Sequence, residues 1–481
     1  MQVALARRTL SPAGLWVSGA AASAPMVVLA GGIVATYATT RITALPLVFA
    51  LVAGVVALLA VGYTAIARQV GHPAAYYSIL AHGLGRGWGV AAGLVALVAY
   101  NCIQISLYGL LGATLAGQFG GAWWVWAGLA VAVVGAFGVR AIVLSTRVLT
   151  GVLVASLLVV AAFIVAGVGQ PASGGLSWAG FDASGLTVGG VGGAVAFCVA
   201  AFMGIDAPGS MVEEAVDRRS VGRAVVGAVI VLGGVYALAA WAMGVAVGPS
   251  LVGEVAADPT GGLPFSILER LGSGWVPAAE LVLVLAIITS KLVFHNVVAR
   301  YVFGMAREGV LPAGLARTGS TIRVSAPRGG SLVQTVIASV VVGGFALSGA
   351  DPVAVMFTWL STLGAMGLLC LLLAASMAAM TASSSVRGVQ PGVWEWRIAP
   401  ALGVAGGLVL LAVMAGNAGS LLGAAPGSWY PLLLPAIVAA VAVTGGLWAA
   451  HLRHARPEVY AGIGRGTPTT NAVPDAITIS I

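Results

Sequence analysis

The sequence predicts an all-α protein that crosses a membrane many times. Of the 481 residues, 60% are hydrophobic and only 7% are charged, and the mean hydropathy is +1.04. A soluble domain has about 25% charged residues, because its surface must be largely polar. These values exclude a soluble enzyme, a disulfide-stabilised secreted domain and a disordered chain.

Twelve apolar runs divide the chain into predicted spans. A helix needs about 20 apolar residues to cross the roughly 30 Å hydrocarbon core of a bilayer. The alternating segments of about ten residues that are typical of membrane barrels are absent from the sequence. The predicted spans, numbered one to twelve in chain order, cover residues 15–38, 45–67, 88–117, 123–142, 144–168, 188–212, 222–248, 275–304, 331–349, 353–380, 398–418 and 429–451.

Glycine and cysteine usage fits a dense bundle of helices. The chain has 69 glycines, and small residues allow membrane helices to approach closely. The three cysteines, Cys102, Cys198 and Cys370, all lie inside apolar runs, so neither a disulfide framework nor a metal site is predicted. The net charge of +8 comes from arginines in loops. It indicates membrane topology rather than a nucleic-acid partner.

The basic residues predict the orientation, because cytoplasmic loops carry an excess of Lys and Arg. With the N-terminus inside, only Arg41 and Arg270 fall outside, and Lys291 lies within a span. We therefore expect a multi-pass protein of the cell membrane with both termini in the cytoplasm. Residues 1–14 would form the cytoplasmic N-terminus and residues 455–481 a disordered cytoplasmic tail. The 19 basic residues on the cytoplasmic side are Arg7, Arg8, Arg68, Arg86, Arg140, Arg147, Arg218, Arg219, Arg223, Arg300, Arg307, Arg317, Arg323, Arg328, Arg387, Arg397, Arg453, Arg456 and Arg465.

Two of the predicted spans contain helix-breaking sequences. The first span contains Ala22-Ser23-Ala24-Pro25-Met26, and the sixth contains residues 204–211 with Pro208. Proline removes a backbone donor and clashes with the preceding turn. Both interruptions carry Ala-Pro, 183 residues apart. Matched breaks in two halves of a membrane protein indicate an inverted-repeat transporter with its binding site at the breaks.

Unwound backbone at this depth indicates a substrate site. Its N–H and C=O groups must line a cavity or meet a ligand, because lipid offers them no partner. A helix N-terminus favours an anion, free carbonyls favour a cation, and a zwitterion fits both. Two proline kinks satisfied by neighbouring helices are the alternative. The predicted substrate-binding residues at the breaks are Ala22, Ser23, Ala24, Met26, Phe202, Gly204, Ile205 and Asp206.

Three segments resemble the amino acid–polyamine–organocation permeases. Residues 202–206, followed by Glu213-Glu214, resemble the "FxGFE…EE" stretch of that family. Residues 296–312, which include Ala306-Arg307-Glu308-Gly309, resemble the family signature after the eighth span. Tyr76-Tyr77 with Gly83-Leu84-Gly85 resembles the loop before the third span. The resemblance extends over residues 10–450, and its eighth-span signature is the most specific part.

The resemblance implies a LeuT-like fold and a transport function. In that fold two inverted repeats of five spans, here residues 15–168 and 188–380, are followed by two further helices, here residues 398–451. It implies transport of amino acids or related amines, coupled to protons or by exchange. The chain departs from the family at Ala22–Pro25, where a glycine-rich sequence is usual, and at Asp206, where glutamate is common.

Lys291 is the only lysine in the chain and stands near the middle of the eighth span. A charge at a helix centre costs about 2.5–3.5 kcal/mol on insertion scales, and the interface is too distant for the side chain to reach. Our hypothesis is that Lys291 supplies the coupling charge and loads and releases a proton. The alternatives are a structural pair with Asp206 and direct substrate contact. His295, on the same face, is the second candidate coupling residue, or a packed histidine bonded to a carbonyl.

The third span carries Asn101, Gln104 and Tyr108 on one helical face. Polar side chains inside a membrane helix face the bundle interior. We predict that Asn101 and Gln104 line the substrate site; hydrogen bonding between helices is the alternative.

The sequence carries no sign of enzyme chemistry. Four of the five histidines lie in loops or at span ends, so no membrane-embedded metal or nucleophile constellation forms. A phosphate-binding G-x-x-x-x-G-K loop is absent. We predict a secondary transporter of a small-molecule substrate, an amino acid, with the proton as coupling ion. The lipid bilayer is a further expected partner, and we expect no cofactor, no metal and no nucleic acid. A polyamine or other organic amine held by Asp206, and amino acid exchange, remain open alternatives.

Overall fold

The computed structural model describes residues 10–139, 146–212, 215–258, 262–316, 319–321, 324–382, 392–422, 424 and 428–466. Ten helices within these ranges are long and apolar enough to cross a membrane. They correspond to every predicted span except the fourth and the sixth. Their bounds are Pro12–Thr40, Leu45–Val70, Arg86–Phe119, Thr146–Gly169, Arg219–Val247, Trp275–Arg307, Arg328–Leu347, Pro352–Thr381, Trp394–Gly416 and Tyr430–Ala455.

The fourth and sixth spans contain shorter helices. The fourth is a helix over Trp123–Val139, and its predicted continuation to residue 142 lies outside the described residues. The sixth is a helix over Val188–Ala201, which ends where the predicted break begins. The chain is therefore a polytopic helical membrane protein, and ten of its helices reach full membrane-spanning length within the described residues.

The connections contain short helices and one hairpin. The hairpin pairs Gly319–Thr321 with Val324–Ala326 in antiparallel register. It corrects the all-α prediction locally, because three-residue strands are too short to give a periodic sequence signal. The short α-helices are Ala75–Gly83, Val252–Ala257, Phe265–Leu268, Ala418–Leu421 and Pro457–Gly462, and the 3₁₀ turns are Ala179–Phe181, Ala183–Gly185, Ala207–Met211, Glu269–Leu271, Ala313–Ala316 and Tyr430–Leu432.

Local sequence signals fix where two of the site helices begin. Ser11 caps the first span by accepting a hydrogen bond from the Gly14 amide at 3.1 Å. Asp351 caps the tenth span by accepting from the Val353 and Ala354 amides at 2.8 and 2.6 Å. Side-chain oxygens at this position satisfy amide groups that the helix leaves without partners. These caps set the register with which each helix enters the bundle.

Burial separates an inner set of helices from an outer set. In its most apolar 18-residue stretch, the first span is 83% buried, and the third and tenth spans are each 78% buried, whereas the twelfth is 17% buried. Helices that are buried all round form the interior of a bundle, and the others face lipid. Polar side chains in the middle of the first, third, eighth and tenth spans, such as Ser23, Gln104, Lys291 and Ser361, are buried against protein.

The chain after the twelfth span differs from the expected disordered tail. Residues Pro457–Gly462 form a helix, and the Glu308 carboxylate binds the segment behind it. Its two oxygens accept hydrogen bonds from the Gly464 amide at 2.8 Å and from the Gly466 amide at 2.7 Å. They also bond His72 Nε2 at 2.9 Å and the Tyr77 hydroxyl. The buried Glu308 carboxylate thus binds this segment, a contact that the composition of the tail did not reveal. Residues 467–481 lie outside the described residues.

Glu308→Gln is expected to release this docked segment. The amide replaces one acceptor oxygen with a donor, and hydrogen bonds to charged groups are worth about 1.5–3 kcal/mol each. Hydrogen exchange of residues 457–466, followed by mass spectrometry, should accelerate roughly tenfold to a hundredfold. Glu458→Gln, which changes an exposed residue of the helix Pro457–Gly462, is the matched control. Equal protection in the two variants would show that Glu308 does not hold the segment.

The same contact gives a pH dependence. Burial by itself would raise the pKa of the Glu308 carboxyl, but hydrogen bonds from His72, Tyr77 and Gly464 outweigh it and hold the pKa below the ordinary glutamate value. The contribution of the carboxylate is therefore complete above the unfolded pKa of about 4.3. It is lost as the pH falls through the lower folded-state pKa.

Candidate functional site

The first span is broken at Ala24. The helix Pro12–Ser23 ends there, and Ala24 takes the left-handed conformation with φ 50°. A new helical segment starts at Pro25, whose ring nitrogen has no hydrogen to donate. The Val27 and Val28 amides both donate to the Ala24 carbonyl oxygen. The regular helical hydrogen bonding is therefore interrupted around Ala24. For alanine, the left-handed conformation costs about 1–2 kcal/mol.

The sixth span is broken after Ala201. Residues 202–206 form irregular turns, and a 3₁₀ turn over Ala207–Met211 follows. Gly204 has φ 86°, a conformation that glycine adopts without steric cost. The glycine and proline that predicted this interruption thus stand inside it.

Two serine hydroxyls connect the breaks. Ser23 Oγ donates to the Ala201 carbonyl oxygen at 2.6 Å, which joins the first break to the second. Its oxygen accepts from the Tyr236 hydroxyl at 2.6 Å, since its one hydrogen is already used. Ser290 Oγ of the eighth span donates to the Ala22 carbonyl oxygen at 2.6 Å. The Ala201 and Ala22 carbonyl oxygens, which lose their helical partners at the breaks, thus each accept one hydrogen bond from a serine hydroxyl.

A cavity of about 60 Å³ lies at these breaks. It has room for roughly five water molecules. Its walls come from the first, third, sixth, eighth and tenth spans, and none of the lining side chains is charged. They are Ala22, Ser23, Ala24, Val27, Val28, Gly32, Ile103, Ser106, Leu107, Phe197, Ala200, Ala201, Met203, Ser290, Phe294, Phe357 and Ser361.

The predicted substrate residues divide into two groups. Ala22, Ser23 and Ala24 line the cavity. The others are buried but are not among its lining residues: those of the first and third spans lie on other faces of their helices, and those at positions 202–206 lie in the irregular turns of the second break. The third span turns Ile103, Ser106 and Leu107 toward the cavity and its polar stripe away from it. The residues outside the lining are Met26, Asn101, Gln104, Phe202, Gly204, Ile205 and Asp206.

Asp206 lies in a separate aromatic enclosure. One carboxylate oxygen accepts from the Tyr100 hydroxyl, and the other has no hydrogen-bond partner. The Tyr63 hydroxyl donates to the Asp206 backbone carbonyl at 3.1 Å, and the Tyr301 ring packs edge-on against Tyr100 at 5.5 Å. Among the described residues, no basic nitrogen lies within 4.0 Å of the carboxylate.

Phe294 separates this enclosure from the cavity. Its ring lines the cavity on one side and lies 6.3 Å from the Tyr100 ring on the other. Gly204 and Ala22 close the same layer, since a Cβ on Gly204 would stand 2.5 Å from the Ala22 Cβ. Asp206 therefore cannot contact a ligand in this cavity unless this layer moves.

Lys291 is fully buried and points toward the third span. Its Nζ donates to the backbone carbonyl oxygen of Gln104 at 3.2 Å and lies 2.8 Å from the centre of the Tyr108 ring. Within the described part of the chain, no carboxylate lies within 4.0 Å of Nζ. The structural pair with Asp206 is therefore not formed. The charge would be held only by a carbonyl dipole and an aromatic face.

His295 lies between Gln104 of the third span and Ser331 of the ninth. The Gln104 side-chain amide lies 3.4 Å from His295 Nδ1. On the other side of the ring, Nε2 lies 2.8 Å from Ser331 Oγ. Neither side-chain polar atom of the buried Gln334, one turn beyond Ser331, has a hydrogen-bond partner.

Sequence reasoning missed Phe294 and the tyrosines around Asp206. These residues are apolar or aromatic and look like ordinary packing in a helix that is apolar on all sides. The one available signal was tyrosine content: Tyr63, Tyr100 and Tyr301 carry hydroxyls inside membrane helices, and a buried Tyr hydroxyl usually finds a partner.

One protein-family model matches almost the whole chain. It is described as amino acid permease, and it covers residues 15–456. No curated protein sequence matches the chain significantly.

Proposed function

The chain belongs to the amino acid permease family, and we propose that it is a secondary transporter that moves amino acids by alternating access. We further propose the LeuT-like layout, with inverted repeats at residues 15–168 and 188–380 and two additional helices at 398–451. The ten full-length helices and two shorter apolar helices among the described residues, together with the two breaks, support this layout. In transporters with such repeats the substrate site lies near the bilayer midplane at the interrupted helices, and we propose the same position here.

The observation that carries the proposal is a cavity bounded by broken helices and lined without a charged side chain. A ligand with a net charge would be left unpaired there, at high cost. A zwitterion can place its carboxylate at helix N-termini and its ammonium at open carbonyls. The free lone pairs of the Ala22 and Ala201 carbonyls are the acceptors that we assign to the ammonium.

The position of Asp206 favours an amino acid over an amine. An organic amine without a carboxylate needs an acidic side chain at the cavity, and Asp206 is the only acidic residue at either break. The Asp206 carboxylate is instead separated from the cavity by Phe294. The polyamine or organic-amine alternative would require this layer to open before substrate binds.

The size of the cavity favours a small substrate. Room for roughly five water molecules corresponds to an amino acid such as glycine, alanine or serine. The apolar walls from Val27, Ile103 and Phe357 suit a short aliphatic side chain.

We propose a proton as the coupling ion and Lys291 as the group that carries it. A charged ammonium without a carboxylate partner inside the bundle is costly, so we assign to Lys291 a protonated and a neutral state that alternate during the cycle. Gln104 and His295 connect this group to Ser331. Exchange of one amino acid for another is the alternative mode.

The distribution of basic residues supports a location in the cell membrane with both termini in the cytoplasm. In the topology predicted from the sequence, 19 of the 22 basic residues are assigned to the cytoplasmic side.

Uptake into proteoliposomes tests the proposal. We expect labelled alanine to accumulate under an inward proton gradient, and a protonophore to abolish accumulation. Ethylamine, which is alanine without its carboxylate, should neither accumulate nor compete, and putrescine should behave in the same way. Uptake that requires preloaded amino acid would instead support exchange. Accumulation of the amines without alanine would contradict the proposal.

A further inference from the structure

A groove of about 530 Å³ opens on the arginine-rich end of the bundle. It runs between the second and seventh spans and is bounded at one end by the start of the eleventh. It is distinct from the substrate cavity, with which it shares no lining residue.

Three arginines line one end of the groove. Arg68 comes from the end of the second span, and Arg219 and Arg223 come from the first turns of the seventh. Arg68 forms an ion pair with Glu395 of the eleventh span. Neither Arg219 nor Arg223 has a carboxylate within 4.0 Å among the residues described. The charged side chains that line the groove are therefore three arginines and one glutamate, an excess of positive charge, although the Asp217 carboxylate accepts a hydrogen bond from the Arg219 amide at the start of the seventh span at 2.9 Å.

The other end of the groove is apolar. Gly222, Val226, Gly227 and Ile230 follow the arginines on one face of the seventh span, and Ile230 is 62% exposed. From Arg219 to Ile230 the helix rises about 16 Å, close to one half of a hydrocarbon core of about 30 Å. Gly222 and Gly227 carry no side chain, and the second span packs close to this face, since a Cβ on Gly222 would stand 3.3 Å from Thr64 Oγ1.

We propose that this groove binds an anionic phospholipid. The arginines would hold the phosphate through charge-assisted hydrogen bonds, and the acyl chain would lie along the small apolar face below them. Basic pockets between spans at the membrane surface suit such head groups. A water-soluble phosphate would use the arginines alone and leave the apolar half of the groove uncovered, which is why we assign the lipid.

The test is lipid retention by the full-length protein. Purified in zwitterionic phosphatidylcholine and titrated with phosphatidylglycerol, the protein should retain phosphatidylglycerol in native mass spectrometry. The double variant Arg219→Gln/Arg223→Gln should bind it about thirtyfold more weakly. Its melting temperature in phosphatidylcholine should equal that of the wild type, which shows that it folds.

The matched control is Arg453→Gln/Arg456→Gln, which removes the same charge from the same end of the bundle at the exposed end of the twelfth span. It should retain phosphatidylglycerol as the wild type does. If phosphatidylglycerol binding weakened equally in both double variants, the lipid would be attracted by the charge of the whole surface rather than bound in the groove, and the proposal would be overturned. Wild-type binding that does not distinguish the two lipids would overturn it as well. Competition by millimolar inorganic phosphate would reassign the groove to a free anion.

Discussion

Gly204→Ala is expected to lower the initial rate of alanine uptake about tenfold or more. Two effects add. Gly204 has φ 86°, a left-handed conformation that costs an L-residue about 1–2 kcal/mol. The new methyl group would also stand 2.5 Å from the Ala22 Cβ and 3.0 Å from Phe294. Because those neighbours belong to the first break and to the layer between the cavity and Asp206, the substitution pushes the two breaks apart.

Gly189→Ala is the matched control, since it adds the same methyl group to the same span where no atom lies within 4 Å. It should leave uptake unchanged. Initial rates in proteoliposomes and melting temperatures, measured together, separate a transport defect from misfolding. A Gly204→Ala protein that folds and transports at the wild-type rate would show that the close contact between the breaks is not needed for transport.

Lys291→Met is expected to remove proton-driven accumulation and to retain amino acid exchange. Methionine is similar in length and volume, so packing should survive, while the side chain can no longer carry a proton. Accumulation under a proton gradient should fall to the level of protein-free vesicles. Exchange between preloaded and external alanine should continue, because Lys291 does not line the cavity.

Leu292→Met, at the neighbouring buried position, controls for the presence of a methionine at this depth and should accumulate alanine normally. If Lys291→Met lost exchange and accumulation in equal measure, with a lower melting temperature, the lysine would have a structural role. If it accumulated alanine at wild-type levels under the gradient, coupling through Lys291 would be wrong.

The membrane fold was readable from the sequence because each span must satisfy a length and a composition at the same time. Ten of the twelve predicted spans contain full-length helices within the described residues. The breaks were equally readable, since Pro25 and Gly204 have local effects on the backbone that do not depend on the partner helix.

The partners of polar side chains were not readable. The stripe of Asn101, Gln104 and Tyr108 was correctly placed on one face, but helical phase alone does not say which neighbour that face meets. Gln104 and Tyr108 meet Lys291 rather than the cavity. Asp206 stands within the break yet faces tyrosines that come from spans far apart in sequence. Such contacts follow from packing in three dimensions.

The central claim is that the cavity recognises both charges of a zwitterion without a charged side chain. Melting temperatures of the purified protein with alanine, ethylamine and propionate test it most directly, since a ligand that binds the folded state raises its stability by mass action. We predict that alanine raises the melting temperature and that the two single-charge analogues do not. An equal rise with ethylamine would contradict the claim, because an amine would then be bound without its carboxylate and Asp206 would be its anchor.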